Sequence, residues 1–547
     1  MQVTYKTSEE VDFVIVGSGA AGGVLAKELA TTGFKIVVLE QGPWISPSEF
    51  SHDEIKTFQE SQLTNDPKRQ PQTFRKTPQD KAEKHVAVIY GRLVGGGSVH
   101  FTGNFWRFHE IDFVERSHRG AIPGTGFADW PLTYAEMEPY YTKVDWEIGI
   151  SGLAGSSPFD PPRSRPYPVP PMPVKSSGVI FERAAWKLGL HPFPAPMAIL
   201  SQPYRGRAGC IHCGRCEAFG CEVGAKSSTL ASVIPVAQQT GLCEIRTESY
   251  AYRVEVNDHG RATGVTYFDS HGTPQFQRAR AVIVSANGAE TARLLLLSSS
   301  PRFSDGLANS SGLVGKYLMI NGYHEVFGTF DEPLNDYKSV SVTRLLHDFY
   351  ELDPKLGFYG GGGIDARLGV TPIGFALGDV PRGARRWGRE FKEWLQSYSR
   401  SMILSSHATS LPVETNSISL DPDVKDAWGL PAICMTYKDH PDDLNTIRFL
   451  RDRALEILDT AKANRIWAAP VEEQSFAVHL LGTCRMGEDP KTSVVDPNHR
   501  THDVPNLFLC DGSSFVTSGR GQPTMTIQAL AFRAAHNIAA AARRGEV

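Results

Sequence analysis

The opening forty residues leave this chain few folds to choose from. An apolar run at 11–16 leads into Gly17-Ser18-Gly19-Ala20-Ala21-Gly22, a helical stretch GVLAKELATTG follows, and KIVVLE ends at Glu40. Strand, glycine turn, helix, strand and acid in that order form the first unit of a parallel sheet that binds a dinucleotide. Gly17, Gly19 and Gly22 let the chain turn tightly and bring the helix N-terminus against a pyrophosphate, while Glu40 is placed to accept from ribose hydroxyls. A glycine turn alone is weak, since it often does no more than pack. Here the flanking strands, the helix and the acid are all in register.

The fingerprint does not separate NAD from FAD, so other segments must decide. Residues 91–108 read GRLVGGGSVHFTGNFWRF, where Gly95, Gly96 and Gly97 permit a close backbone approach, Ser98 follows and His100 comes two residues later. Residues 281–297 read as a buried strand, a glycine turn and an amphipathic helix. Near the end, NLFLCDGSSF puts Asp511 at the end of a further strand, and GQPTMTIQALAFRAAHNIA continues as a helix whose start can face an anion.

Taken together these segments resemble the glucose-methanol-choline family of FAD oxidoreductases over nearly the whole chain. The resemblance implies an α/β chain in which a Rossmann-like FAD-binding domain is interleaved with a substrate domain built on a largely antiparallel sheet. The glycine turn and Glu40 would hold the ADP half of FAD, and the 95–100 segment would lie by the flavin ring. A histidine at the position of His100 carries a covalent flavin bond in some members and not in others. HLLGTCRMG resembles the family's H-x-x-G-T-C motif, which makes His479 the candidate base, and VVDP at 494–497 also matches. The family commonly has His or Asn as second catalytic residue just before the last helix, whereas this chain has Gln522 there. A glutamine amide can donate to a substrate oxygen but cannot titrate, so the proton would go to His479. Phe101, Phe105, Trp106 and Phe108 read as core or pocket wall.

Four of the eight cysteines fall within twelve residues: Cys210, Cys213, Cys216 and Cys221, spaced C-x2-C-x2-C-x4-C. Zinc sites usually pair two C-x2-C knuckles across a longer spacer, while three thiolates on a three-residue beat suit an iron-sulfur loop. A local disulfide, free buried thiols and zinc are the alternatives. Such a loop followed by G-A-K is similar to the flavoprotein subunits of bacterial gluconate and related sugar dehydrogenases, some of which hold a [3Fe-4S] cluster; that implies a one-electron, cytochrome-type acceptor and a small signal-bearing partner subunit. Cys243, Cys434, Cys484 and Cys510 read as small buried hydrophobes.

With 547 residues, 41% hydrophobic and 21% charged, the composition is ordinary for globular domains and excludes coiled coil, collagen and disorder. A formal charge of -4 and a pI near 6.5 leave no whole-chain electrostatic footprint for nucleic acid or an anionic bilayer. No apolar run approaches the roughly 20 residues of a membrane span, and the polar start reads as neither signal nor anchor. The expected location is therefore cytoplasmic, or periplasmic by co-export with the partner subunit.

The expected division is an FAD-binding part at 1–319 containing the cysteine loop 210–221, a substrate part at 320–475, and a return to the FAD-binding part at 476–547 with the catalytic motif. Residues 41–85 read as a polar insertion, 158–173, with eight prolines, as an extended exposed connection, and 240–285 as a small antiparallel unit. By resemblance, the six-stranded substrate sheet includes ISLDPDVKDAWGLPAICMTY among its later strands, and GFYGGGG at 357–363 reads as a flexible turn. The resulting function is oxidation of a CH-OH group of a sugar, polyol or glycoside by hydride transfer to FAD. Alternatives are an oxidase using dioxygen and a non-catalytic flavin-binding subunit.

Overall fold

The computed structural model describes residues 3–378, 380–381 and 383–547. Among them, three sheets carry the architecture. In the seven-stranded sheet, Cys243–Arg246, Ile36–Leu39, Val11–Val16, Pro274–Val284 and Leu507–Leu509 lie side by side, every pairing parallel. Ile36–Leu39, Leu507–Leu509 and the last four residues of Pro274–Val284 are buried throughout, so these stretches read as continuous apolar runs rather than alternating. Ala20–Thr31 crosses between the first two strands and packs on the C-terminal helix Thr524–Arg543.

The six-stranded sheet is antiparallel throughout and runs Arg465–Ala468, Gly322–Thr329, Ser401–Ala408, Gly362–Arg367, Arg344–Leu346, Phe193–Pro194. Alternation decides what each face carries. Val326, Ile364, Ala366, Met402 and Leu404 pack under the helices Ser176–Lys187 and Pro441–Thr460. The alternate residues Tyr323, Asp365, Arg367 and His407 therefore point to the opposite face.

Several sequence-based expectations change here. Ser417–Lys425 and Pro431–Thr436 do not join the six-stranded sheet; they form a separate four-stranded one, because Pro431–Thr436 pairs in parallel with Gln72–Arg75. The polar 41–85 stretch thus supplies an internal strand to that sheet. The antiparallel unit expected in 240–285 is present as Tyr250–Val256, Ala262–Phe268 and the first half of Pro274–Val284, but it is continuous with the parallel sheet: Cys243–Arg246 lies parallel on Ile36–Leu39, and the second half of Pro274–Val284 pairs parallel with Val11–Val16. The proline-rich 158–173 stretch is only partly exposed, since Val169 and Met172 are buried. Gly361 is not a flexible hinge: a β-carbon there would sit 2.0 Å from the Tyr350 carbonyl oxygen, so the residue is a packing necessity next to a strand.

Candidate active site

The glycine turn is built as its spacing demands. Gly17 has φ +92°, and a β-carbon at Gly22 would lie 1.9 Å from the Gly17 carbonyl oxygen, so the helix can begin this close to the strand only with glycine at both positions. Neither Ala20–Thr31 nor Thr524–Arg543 has a side-chain hydrogen bond capping its start. Both starts border one cavity of about 640 Å³, which runs from Glu40 and Gln41 past Gly17, Gly19 and Ala20 to Gly96, Ser98, His100, His479 and Gln522. Bare backbone N–H groups and the positive ends of two helix dipoles suit an anion in its middle. Residues of the dinucleotide fingerprint and the proton-handling candidates thus meet in one space.

Glu40 is buried, and its carboxylate accepts from Ser18 N (3.0 Å), Ser18 Oγ (2.7 Å) and Gly42 N (2.9 Å). Burial raises its pKa, and those donors oppose the shift. Ser98 Oγ donates to the Gly95 carbonyl (2.7 Å) and accepts from Thr229 N (3.1 Å), tying the glycine-rich segment to residue 229. Asp511 is engaged with the protein itself: it accepts from Asn287 N (3.0 Å), Thr291 Oγ1 (2.6 Å) and Ser513 N (2.8 Å), so it locks two turns at the cavity wall. His100 Nε2 is buried without a hydrogen-bond partner, and burial followed by the Lys226 ammonium pushes its pKa down to about 4.

His479 Nδ1 lies 3.2 Å from Asn321 Oδ1. The Asn321 amide nitrogen faces the carbonyls of Ala408, Ser518 and Gly519 at 3.3, 3.4 and 3.4 Å, so its oxygen must face the imidazole. That makes Nδ1 the protonated nitrogen and leaves Nε2 as an acceptor. Burial, and then His407, push the His479 pKa down to about 4, so the ring is a neutral base at pH 7. Gln522 Nε2 lies 3.2 Å from His407 Nδ1. Glu217 also reaches the cavity wall, where burial pushes its carboxyl up to about 7.

Asn321, His407, Asp365, Arg367 and Glu217 were not found from the sequence. Asp365 and Arg367 carried a usable signal, a buried-looking strand with opposite charges two residues apart and hence on one face. Asn321 carried none beyond its fitness for the left-handed backbone it adopts, φ +57°.

The cysteine loop packs beside this cavity, with Ala218 N donating to the His100 carbonyl (2.8 Å). Its centre is the buried Lys226 ammonium, which donates to the carbonyls of Cys216, Phe219 (2.7 Å) and Phe101 (3.0 Å). Cys216 is buried, with its thiol pushed up to about 12 by burial, while Cys213 is exposed. Among the described residues, no group of three or more Cys, His, Asp or Glu side chains is arranged to hold a metal ion. The four thiols therefore do not fit an iron-sulfur cluster as they stand; the loop folds around an ammonium instead. Also among the described residues, no helix is long and apolar enough to cross a membrane.

The family description of GMC oxidoreductases matches residues 11–320 and again residues 412–531. The chain belongs to this family. The GMC protein is 34% identical to 2-methyl-1,2-propanediol dehydrogenase of Mycolicibacterium austroafricanum, across 97% of this chain and 96% of that one. It is 28% identical to the gluconate 2-dehydrogenase flavoprotein of Pantoea cypripedii, across 97% and 94%. A solved structure of formate oxidase from Aspergillus oryzae RIB40, concerned with its FAD modification, superposes with a TM-score of 0.67 at 16% identity, covering 99% of this chain and all of that one; it shares the fold. The GMC protein is an FAD-dependent oxidoreductase.

Proposed function

We infer that this GMC oxidoreductase oxidises a CH-OH group of a polyol, sugar or glycoside to the carbonyl. One observation carries the reading: His479, neutral and with its tautomer set by Asn321, lines the same cavity as Gln522 and the dinucleotide fingerprint. FAD, when bound, supplies the two-electron acceptor for the hydride that leaves the carbinol carbon. Gly17, Gly19, Gly22 and Glu40 would hold its adenosine diphosphate half, with Gly95, Gly96, Ser98 and His100 at the other end and Asp511 bracing the wall between. His479 takes the hydroxyl proton at Nε2, and Gln522 directs an N–H at the substrate oxygen. Holding both groups in one walled space supplies orientation that free solution would not.

The substrate class rests on the names of the two curated relatives, which concern a diol and a sugar acid. An electron exit towards a one-electron, cytochrome-type acceptor rests on the likeness to the gluconate 2-dehydrogenase flavoprotein and not on the cysteine loop, whose thiols are not gathered about a metal. A small partner subunit and periplasmic co-export belong to the same reading, through the likeness to the gluconate 2-dehydrogenase flavoprotein. No step is routed through a cluster, because the thiols are not gathered about a metal.

The test is anaerobic mixing of purified holoprotein with 1,2-diols, aldonates and free sugars, following loss of the oxidised flavin absorbance, with iron and sulfide assayed on the same sample. Bleaching by a member of this panel supports the reading. A flavin that stays oxidised with every polyol and sugar but is reduced by a nicotinamide dinucleotide would overturn it. Iron-free protein with full turnover on dioxygen would replace the dehydrogenase by an oxidase.

A further inference from the structure

Behind Gln522 stands a buried polar group contributed by the six-stranded sheet. His407, on Ser401–Ala408, has its Nδ1 3.2 Å from Gln522 Nε2 and its Nε2 2.8 Å from Asp365 Oδ2. Asp365 is held in turn by Arg367, through Nε at 2.7 Å and Nη2 at 2.5 Å, and by the amide of Asn104 at 3.1 Å. His407 and Asp365 are diagonal partners across antiparallel strands, since Gly363 is the residue directly opposite His407. The imidazole is caged between the rings of Trp106 and Tyr323. It also touches the catalytic segment: Gly521 has φ +114°, and a β-carbon there would lie 2.5 Å from His407 Cβ. Only glycine next to Gln522 lets the histidine approach this closely.

This arrangement fixes proton positions. A carboxylate 2.8 Å from Nε2 requires the proton on that nitrogen, although Arg367 Nη2 also lies 3.1 Å from it and competes as a donor. Asp365 is favoured as Nε2's partner because the Arg367 guanidinium, in spite of burial, holds it below the ordinary carboxylate range and hence ionised. With the Nε2 proton directed at Asp365, Nδ1 is the ring nitrogen left to accept. The Gln522 carbonyl oxygen cannot face an accepting nitrogen, so the amide must present its NH2 group there. One of its two N–H bonds is used by His407. The other remains for the substrate.

We propose that His407, locked by Asp365, is the positioning residue that sets the direction of the Gln522 amide, so that an N–H and not a carbonyl oxygen meets the oxygen being oxidised. This rests on the role given to Gln522 under the proposed function. The titratable or charged groups around His407 are Asp365 and Arg367 on the neighbouring strand, Glu217 from the cysteine loop 3.6 Å from Arg367, Tyr323 on the other flanking strand, His347, and His479 across the cavity.

The test compares anaerobic flavin reduction in His407→Leu, His407→Gln, Asp365→Asn, Gln522→Ala and the double variant His407→Leu with Gln522→Ala, each checked for FAD content and thermal midpoint. His407→Leu should lower the limiting reduction rate at least about tenfold, the scale of one lost hydrogen bond, with a smaller change in substrate affinity. His407→Gln, whose carbonyl can accept from the amide, should recover most of that rate. Asp365→Asn, which removes the carboxylate that keeps the His407 proton on Nε2, should lower the limiting reduction rate in the same direction as His407→Leu. In the Gln522→Ala background His407→Leu should cost little more, because the group it positions is gone. Additive losses, or a His407→Gln variant as slow as His407→Leu while folded and loaded with FAD, would overturn the positioning role. Gln522→Ala reducing its flavin at the wild-type rate would instead overturn the reading of Gln522 itself.

Discussion

Asn321 Oδ1 and His479 Nδ1 lie 3.2 Å apart, although 158 residues separate them in the chain. The contact joins the residue just before the strand Gly322–Thr329 to the loop that carries His479, and it selects the tautomer whose Nε2 is free to accept a proton. His479→Ala should lower the rate of flavin reduction by about 10²- to 10⁴-fold, the usual contribution of a positioned base, while FAD content is unchanged. Asn321→Leu should give a smaller loss of the same kind. Stopped-flow reduction with a saturating reductant measures both, and near-normal reduction in His479→Ala would remove it from the mechanism.

Glu40→Ala addresses the opposite end of the cavity. Its carboxylate braces Ser18 and Gly42 in the glycine turn, so removing it should lower the bound flavin fraction and weaken FAD affinity at least about tenfold. The protein that retains cofactor should reduce it at the wild-type rate. Cofactor titration by fluorescence checks the first expectation and single-turnover kinetics the second.

Glu217 should make stability fall as pH rises. Burial pushes its carboxyl up to about 7, and Oε2 has no hydrogen-bond partner. An unfolded chain releases this proton near 4.5, so between about pH 4.5 and 7 the folded state binds more proton than the unfolded one and loses stability as pH rises. Glu217→Gln should therefore raise the thermal midpoint relative to wild type at pH 8, with little difference at pH 4.5. An equal gain at both pH values would mean that the charge is not the cause.

Arg520 pins the segment before Gln522 by donating to Asp112, Glu115 and, from Nε at 2.7 Å, the Tyr350 carbonyl. Arg520→Met leaves two buried carboxylates without their cation, a change that typically costs about 3–5 kcal/mol. The denaturation midpoint should drop accordingly, and Arg520→Lys should recover only part, because an ammonium cannot serve both acids and the Tyr350 carbonyl from two separate nitrogens as the guanidinium does. A midpoint within error of wild type would show that the two acids are held by other means.

The glycine fingerprint was legible because every residue it needs lies within the first forty, and strand, turn and helix are local structures. The cysteine loop was legible as a cluster of thiols but not as a shape. Its cysteine spacing suits a metal, yet the buried Lys226 side chain draws three carbonyls around itself. The later strands were assigned to the wrong sheet for a related reason: Pro431–Thr436 pairs with Gln72–Arg75, and alternation of side chains does not say which distant edge a strand will find.

What the sequence by itself determined is the set of short-range elements: the dinucleotide turn, the acid that closes it, His479 in its motif, and Gln522 ahead of the last helix. The tertiary structure alone decided which proton each group holds. Asn321 sets His479, and Asp365 through His407 sets Gln522, across 158, 42 and 115 residues of chain. Hydrogen-bond direction depends on atoms a few ångströms apart in space, and that proximity is created only when distant segments of the chain fold together.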